Sequence, residues 1–230
     1  MIGVHAIRGV LPILDADWLD RLELISATEI RRFQSGRDSV IGTLARCLGA
    51  SGVSCVQLRC KDQARCTPFA TLWVTALRQY APHIALIIND HVELAVALAA
   101  DGVHVGQEDT PVATCRRLLG PHKLVGWSTH TPAEILLANQ AAVDYVGFGP
   151  LFPTHTKPDA QAAQGVDRLA EACRVAQKPV VAIGGIQVGD MAPIAATGAS
   201  AVAMISGLWE KESWQQRLEQ ATQAWHNSHL

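Results

Sequence analysis

The sequence has little charge, and the charges it has are mixed along the chain. Only 17% of its 230 residues are charged, the formal net charge is −2, and no block of like charges occurs. Such a chain gives no electrostatic reason to expect nucleic acid or an anionic membrane surface as a partner. Hydrophobic residues make up 49% of the chain, so a large buried core can form.

Signals for secretion and for cysteine-bound metals are also missing. The sequence contains no Cys-x-x-Cys pair and no zinc-type His–Cys spacing, and its N-terminus lacks the basic, apolar and cleavage regions of a secretory signal. We therefore expect reduced, structural thiols in a cytoplasmic protein. The six cysteines are Cys47, Cys55, Cys60, Cys66, Cys115 and Cys173.

An uninterrupted membrane-length segment is absent as well. Residues 191–209 carry no charge and are long enough to raise the question of a membrane span. Proline, glycine and serine residues interrupt them, which favours a helix, a turn, a strand and a loop. The interruptions are Pro193, Gly198, Ser200, Ser206 and Gly207.

Short apolar runs recur along the chain with helix-sized spacers between them. Continuous apolar runs without alternation are typical of strands covered on both faces, as in a parallel sheet. The eight predicted strands are Val10–Leu14, Val53–Leu58, Ile84–Ile88, Gly102–Val105, Leu124–Trp127, Val143–Phe148, Val180–Ile183 and Ala201–Ile205.

The spacers between the strands have helical patterns, and three of them begin with threonine before proline, at Thr67, Thr110 and Thr131. The predicted helices lie at about 40–50, 67–80, 91–100, 111–119, 132–141, 165–177, 188–198 and 211–226. This alternation predicts a (β/α)8 TIM barrel that forms a single domain over residues 1–230, with a doubly wound open sheet as the alternative. Residues 1–40 are poorly defined by the pattern, although residues 25–30 indicate an extra helix.

In such a barrel the functional side chains follow the strands, at their C-terminal ends. Gln57, Arg59 and Lys61 alternate along the end of the second strand, so they point to one side, where their donors would suit a phosphate or diphosphate. A solvated strand end with surface cations is the alternative for this segment.

Acidic residues follow the next two strands. Asn89 and Asp90 come directly after the third strand, and Asp109 follows the fourth. Two carboxylates facing the cations of the second strand predict Mg²⁺, which needs few protein ligands because phosphate oxygens and water complete its coordination. A helix-capping role is the alternative for each aspartate alone. His104 lies within a strand, and we expect it to be packed.

Two further strand ends carry hydroxyl groups. Ser128 follows the fifth strand as a candidate phosphate donor, and the nearby His130 is a candidate base without an identifiable carboxylate partner. After the sixth strand, a loop stiffened by prolines carries Thr154, Thr156 and Lys157. The lysine is a point charge that suits a phosphate group.

Glycines and exposed amides come at the ends of the last two strands, at residues 182–186 and 204–207. This is the recurrent place for a phosphate monoester in barrels of this kind. Together with the cationic and acidic end of the second to fourth strands, it implies two phosphorylated small-molecule substrates.

The ordered set of segments resembles the thiamine phosphate synthase family. The resemblance runs from about residue 50 to residue 210 and depends most on the Asp-Gly-Val-His and Thr-x-Thr-Lys-Pro segments. The segments that carry it are 56–61, 88–90, 100–109, 126–130, 144–159, 181–186 and 205–206.

The resemblance implies a transferase that joins hydroxymethylpyrimidine diphosphate to thiazole phosphate, giving thiamine phosphate and diphosphate. It implies that the pyrimidine diphosphate is held by Gln57, Arg59, Lys61, Asn89, Ser128 and Lys157. The thiazole phosphate would be held by Thr154, Thr156, Gly185, Ile205 and Ser206. Asp90 and Asp109 would bind Mg²⁺, and Lys157 and Ser128 would be the catalytic residues.

The chain departs from the family pattern at Cys60 and in its N-terminal forty residues, which match poorly. Cys60 stands where the family usually has glutamate, and the first strand ends in Leu14-Asp15 instead of Thr-Asp. Two alternatives remain: a thiazole tautomerase, which needs neither metal nor diphosphate, and a non-catalytic ligand-binding barrel that regulates thiamine synthesis. The sequence leaves a homo-oligomer open.

Overall fold

Eight parallel strands close into a barrel in the computed structural model, which describes residues 3–154, 156 and 162–229. Each strand pairs with its neighbours in the chain, and the last strand returns to the first. The strands are β1 (Gly9–Asp15), β2 (Cys55–Arg59), β3 (Ala85–Asn89), β4 (Gly102–Val105), β5 (Leu124–Thr129), β6 (Tyr145–Phe148), β7 (Val180–Ile183) and β8 (Ala201–Met204). The predicted TIM barrel is confirmed, and the open sheet is wrong.

Helices surround the barrel and cover the outer faces of the strands. They are α1 (Ala16–Arg21), α2 (Ala27–Gln34), α3 (Val40–Ala50), α4 (Gln63–Tyr80), α5 (Val92–Ala97), α6 (Val112–Leu119), α7 (Pro132–Gln140), α8 (Gly165–Val175), α9 (Met191–Ala195) and α10 (Trp214–Asn227). Every residue of β2 and β3 is buried. Burial on both faces explains why these strands appear as continuous apolar runs in the sequence.

A second apolar cluster fills the inside of the barrel near the N-terminal ends of the strands. Alternate residues of the strands supply it, among them Leu11, Cys55, Ala85 and Leu124. Ile7, which follows a short 3-10 turn at Val4–Ala6, packs into the same cluster. The interior at this end is therefore packed core, as in other barrels of this class.

The first forty residues contain more helix than the sequence pattern indicated. The predicted extra helix is α2, with the Ser26 hydroxyl accepting the Glu29 N–H at 3.3 Å. An additional short helix, α1, begins directly after β1, and the Asp15 carboxylate accepts the Trp18 N–H at its start.

Of the three predicted threonine caps, two are wrong and one is confirmed. Helix α4 begins four residues before Thr67, because the Asp62 carboxylate caps it, and Pro68 lies inside the helix. Helix α6 has Pro111 at its N-cap and no side-chain cap, so Thr110 has no capping role. Thr131 caps α7 as predicted, accepting the Glu134 N–H at 3.2 Å.

The uncharged stretch 191–209 contains α9, a turn, β8 and a loop, as expected. Within the ranges that the structure describes, every helix is too short or too polar to cross a membrane.

Gly102 provides a test of barrel packing, because β4 and β5 approach closely there. A Cβ at this position would lie 2.3 Å from the Leu124 carbonyl oxygen and 2.9 Å from Ile87 Cδ1. We expect Gly102→Ala to lower the free energy of unfolding by about 3 kcal/mol, since neither strand can move without disturbing its neighbours. Gly189→Ala is the matched control, because no atom lies within 4 Å of its Cβ. Equal stability of the two variants in urea unfolding would contradict this packing.

Candidate active site

A cavity of about 240 Å³ opens at the C-terminal ends of the strands. Its walls combine apolar side chains of β1 and β7 with polar side chains from the ends of the other strands. Nine of the predicted substrate-binding residues line it: Gln57, Arg59, Asn89, Ser128, Thr154, Thr156, Gly185, Ile205 and Ser206. The structure therefore brings together residues that are up to 149 positions apart in the sequence.

Arg59 enters the cavity as half of a buried ion pair. Its guanidinium contacts the Asp15 carboxylate, and both side chains are almost fully buried, with exposed fractions of 5% and 3%. Within the described part of the chain, Arg59 Nε is buried without a hydrogen-bond partner. Arg59 can therefore offer directed N–H donors to a ligand, while Asp15 balances its charge.

Asp15 is a site residue that the sequence analysis missed. One carboxylate oxygen contacts Arg59, and the other accepts the Trp18 N–H at 2.9 Å. The pairing follows from the barrel register, which places Asp15 beside Arg59 on adjacent strands. Its position at the last residue of the first strand was the available signal.

The floor of the polar half of the cavity holds three hydrogen-bonded side chains from β4, β5 and β6. His104 Nε2 lies 2.9 Å from Ser128 Oγ, and His104 Nδ1 lies 3.1 Å from Tyr145 Oη. Burial raises the pKa of the Tyr145 hydroxyl well above its usual value. His104 is packed, as expected, but it also lines the cavity, and neither it nor Tyr145 was predicted as a site residue.

The opposite side of the cavity is formed by the loops after β6, β7 and β8. Gly184 and Gly185 have φ angles of 101° and 70°, and a Cβ at Gly185 would lie 2.7 Å from the Pro153 carbonyl oxygen. The Phe152 N–H donates to the Gly184 carbonyl at 3.0 Å. These contacts hold the β6 loop against the glycine turn and bring Thr154 into the same cavity wall as Ser206.

Lys61, Asp90 and Asp109 are not among the described residues that line the cavity. Lys61 Nζ is 3.5 Å from an Asp90 carboxylate oxygen, so the predicted approach of cation and carboxylate is present. Asp90 has a φ of 65°, and the N-cap position of α5 belongs to His91. The Asp109 carboxylate accepts the Gly106 N–H at 2.7 Å and is exposed.

The donor set fits Mg²⁺ better than a softer metal. Asp90 and Asp109 offer hard carboxylate oxygens, and Mg²⁺ takes the rest of its coordination shell from substrate phosphate and water. Among the described residues, no group of three or more His, Cys, Asp and Glu side chains has metal-binding geometry. The structure therefore gives no tight all-protein metal cage, and the shared Mg²⁺ site stays a prediction.

Three other sequence predictions concern the rim of the site. Lys157, the predicted catalytic lysine, lies outside the described residues. His130 lines the cavity, and its Nδ1 lies 2.6 Å from the Gly149 carbonyl, so this nitrogen donates to the backbone. Cys60, in place of the expected glutamate, is buried, and burial raises the pKa of its thiol to about 12. Cys60 therefore brings no charge to the site.

The comparisons with known proteins agree on one family for this chain. A family model described as thiamine monophosphate synthase matches residues 25–208. A thiamine-phosphate synthase from Albidiferax ferrireducens is 41% identical over 170 residues, covering 72% of this chain and 77% of that protein. One from Persephonella marina is 37% identical over 172 residues, covering 74% and 81%.

Two further similarities concern a longer relative and a solved structure. The thiamine biosynthesis bifunctional protein ThiM/ThiE from Symbiobacterium thermophilum is 48% identical over 123 residues, which span 54% of this chain but 26% of that protein. The structure of thiamine phosphate pyrophosphorylase from Pyrococcus furiosus superposes with a TM-score of 0.77, covering 98% and 99% of the two chains at 24% identity. At this identity the superposition supports the fold.

The buried pair at the cavity can be tested with a substitution that keeps its shape. Asp15→Asn retains a capping side chain for α1 but removes the charge beside Arg59. We expect a loss of about 3 kcal/mol in the free energy of unfolding, because a buried guanidinium is left without its counter-ion. The control is Asp20→Asn, since Asp20 contacts Arg65 in an exposed pair, which we expect to change stability by about 0.5 kcal/mol or less. Similar losses in chemical unfolding of both variants would contradict this account.

Proposed function

The chain belongs to the thiamine monophosphate synthase family, and from this membership we propose that it is a thiamine phosphate synthase. In the proposed reaction, the methylene carbon of 4-amino-2-methyl-5-hydroxymethylpyrimidine diphosphate forms a bond to the ring nitrogen of a methylthiazole phosphate or its carboxylated form. The bond from that carbon to the diphosphate oxygen breaks, so the products are thiamine phosphate and diphosphate.

The arrangement of the cavity is the observation that supports this reaction best. One side presents the N–H and O–H groups of Arg59, Asn89 and Ser128, and the other presents the glycine turn with Thr154 and Ser206. Two phosphate-binding sides on one cavity suit two phosphorylated substrates whose reacting atoms meet between them. A tautomerase or a simple binding barrel would need only one such side.

The apolar part of the cavity wall supports a reaction through a cationic intermediate. Leu11, Ile13, Val181 and Ile183 line the same cavity as the two polar sides. We propose that these side chains exclude water while the diphosphate departs, so that the thiazole nitrogen captures the pyrimidine methylene cation. This route requires no protein nucleophile.

Charge on the departing diphosphate requires positive groups at the rim. We propose that Lys61 and Lys157 supply positive charge, and that Arg59, whose own charge is balanced by Asp15, supplies oriented donors. Asp90 and Asp109 would hold Mg²⁺, which neutralises negative charge on the leaving group when it is bound. The contact between Lys61 and Asp90 supports this, because it keeps the cation beside the carboxylate.

The partners in this proposal are small phosphorylated molecules, and the setting is the cytoplasm. The cysteines that the structure describes are all free thiols, which agrees with a reducing compartment.

The function can be tested by measuring diphosphate release from the purified protein. We expect release to require the pyrimidine diphosphate, the thiazole phosphate and Mg²⁺ together. Asp90→Asn and Asp109→Asn should each lower the rate at saturating substrate by about 100-fold, because each removes part of the charge stabilisation at the leaving group. Asp20→Asn, another exposed carboxylate with an arginine partner, should keep the wild-type rate.

Each alternative has its own result in the same assay. Isomerisation of a carboxythiazole phosphate without metal or diphosphate would show a tautomerase. Binding of the phosphorylated ligands without any turnover would show a regulatory barrel. If Asp90→Asn or Asp109→Asn keeps the wild-type rate throughout a Mg²⁺ titration, that residue is structural and the proposed metal site is wrong.

A further inference from the structure

We propose that His104 is a positioning residue: together with Tyr145 it forms a directed chain of hydrogen bonds that turns the Ser128 hydroxyl proton into the cavity. The acceptor of that proton is an anionic oxygen of the departing diphosphate, so this inference rests on the proposed function. The chain runs from the Tyr145 hydroxyl to His104, then to Ser128 and finally to the ligand.

Both ring nitrogens of His104 lie within hydrogen-bond distance of a neighbouring hydroxyl group. Nδ1 lies 3.1 Å from Tyr145 Oη, and Nε2 lies 2.9 Å from Ser128 Oγ. In a neutral imidazole one nitrogen donates and the other accepts. Whichever nitrogen carries the proton therefore decides whether the histidine receives the serine proton or leaves it free.

The direction of the chain follows from Tyr145. Its hydroxyl is fully buried and keeps its proton, since burial raises its pKa well above the usual value. The hydroxyl oxygen lies 3.1 Å from His104 Nδ1, and a buried hydroxyl proton without an acceptor would be costly. We therefore assign the Tyr145 proton to the hydrogen bond with His104 Nδ1.

His104 then carries its proton on Nε2 and donates it to Ser128 Oγ. The serine keeps its own proton, and its side chain lines the cavity. Over the described ranges, Ser128 Oγ has no other hydrogen-bond partner than His104. A ligand oxygen is therefore the partner that the Ser128 hydroxyl proton lacks.

The barrel makes room for this chain by omitting two side chains. His104, Gly126 and Tyr145 are register partners on three successive strands, so Tyr145 reaches His104 across the glycine. A Cβ at Gly126 would lie 2.2 Å from Tyr145 Cζ and 2.4 Å from His104 Nδ1. A Cβ at Gly147 would lie 3.1 Å from His104 Cε1. The two rings are therefore held in one arrangement.

A hydroxyl donor that already points at the ligand does not have to reorient when negative charge develops on the departing diphosphate. A serine hydroxyl in water rotates freely, whereas here the Nε2 proton occupies one side of Ser128 Oγ. Ser128 then donates to the diphosphate more strongly as the carbon–oxygen bond breaks. The contribution is to the chemical step and should appear in kcat more than in KM.

A double-mutant cycle on kcat tests whether His104 acts through Ser128. We expect Ser128→Ala and His104→Asn each to lower kcat by about 10- to 100-fold. Because both changes remove the same hydrogen bond to the ligand, the double variant should be no slower than Ser128→Ala alone. Multiplicative losses in the double variant would overturn the proposal.

Two amide replacements of His104 distinguish a role in positioning Ser128 from a role in packing alone. The His104→Gln amide reaches the place of Nε2 and can still donate to Ser128, whereas the His104→Asn amide reaches only the place of Nδ1. We expect His104→Gln to recover at least a third of the wild-type kcat and His104→Asn to remain impaired at equal thermal stability. Equal kcat values for the two variants would contradict the positioning role.

The tautomer of His104 can be measured without any substrate. Two-bond ¹H–¹⁵N correlation NMR of the wild-type protein should show the proton on Nε2, and Tyr145→Phe should reduce the population of this form. A proton on Nδ1 in the wild type would overturn the inference even if the enzyme is active. Conversely, an Nε2–H tautomer in a protein without synthase activity would leave the hydrogen-bond chain standing and remove the proposed function.

Discussion

Closure of eight parallel strands into one barrel is the constraint on which the rest of the structure depends. Every second residue of a strand must point inward, and an inward side chain either packs against the others or faces the open C-terminal end. The packed end is apolar, with Ile7, Leu11 and Leu124 in one cluster. At the open end, Gln57, Asn89 and His104 occupy inward positions of adjacent strands and line the cavity.

The sequence predicted most of this architecture, because each strand and helix has a local signal. The apolar run of β4 predicted its bounds at both ends, and the Thr131 cap predicted the start of α7. The predicted start of α4 was wrong because the helix begins earlier, where Asp62 caps it, and because Pro68 is tolerated within the helix. Residues at strand ends, such as Ser128 and Ser206, could be placed at the cavity because the barrel itself fixes that geometry.

The pairings inside the cavity could not be predicted in the same way. Asp15 and Arg59 are 44 residues apart, and His104 and Tyr145 are 41 apart. Their contacts depend on the register of neighbouring strands and on the space left by Gly126, and neither has a local sequence signal. The buried Asp15 changes the role of Arg59 from a free cation to an oriented donor, which the sequence pattern alone did not reveal.

A crystal structure of the protein with thiamine phosphate, diphosphate and Mg²⁺ would show whether one cavity holds two phosphate-binding sides. We expect the diphosphate within hydrogen-bond distance of Asn89 and Ser128, with Mg²⁺ held by Asp90 and Asp109. We expect the phosphate of thiamine phosphate against Gly185 and Ser206, on the opposite side. Both groups bound on one side, or the thiamine phosphate bound outside the cavity, would contradict this arrangement.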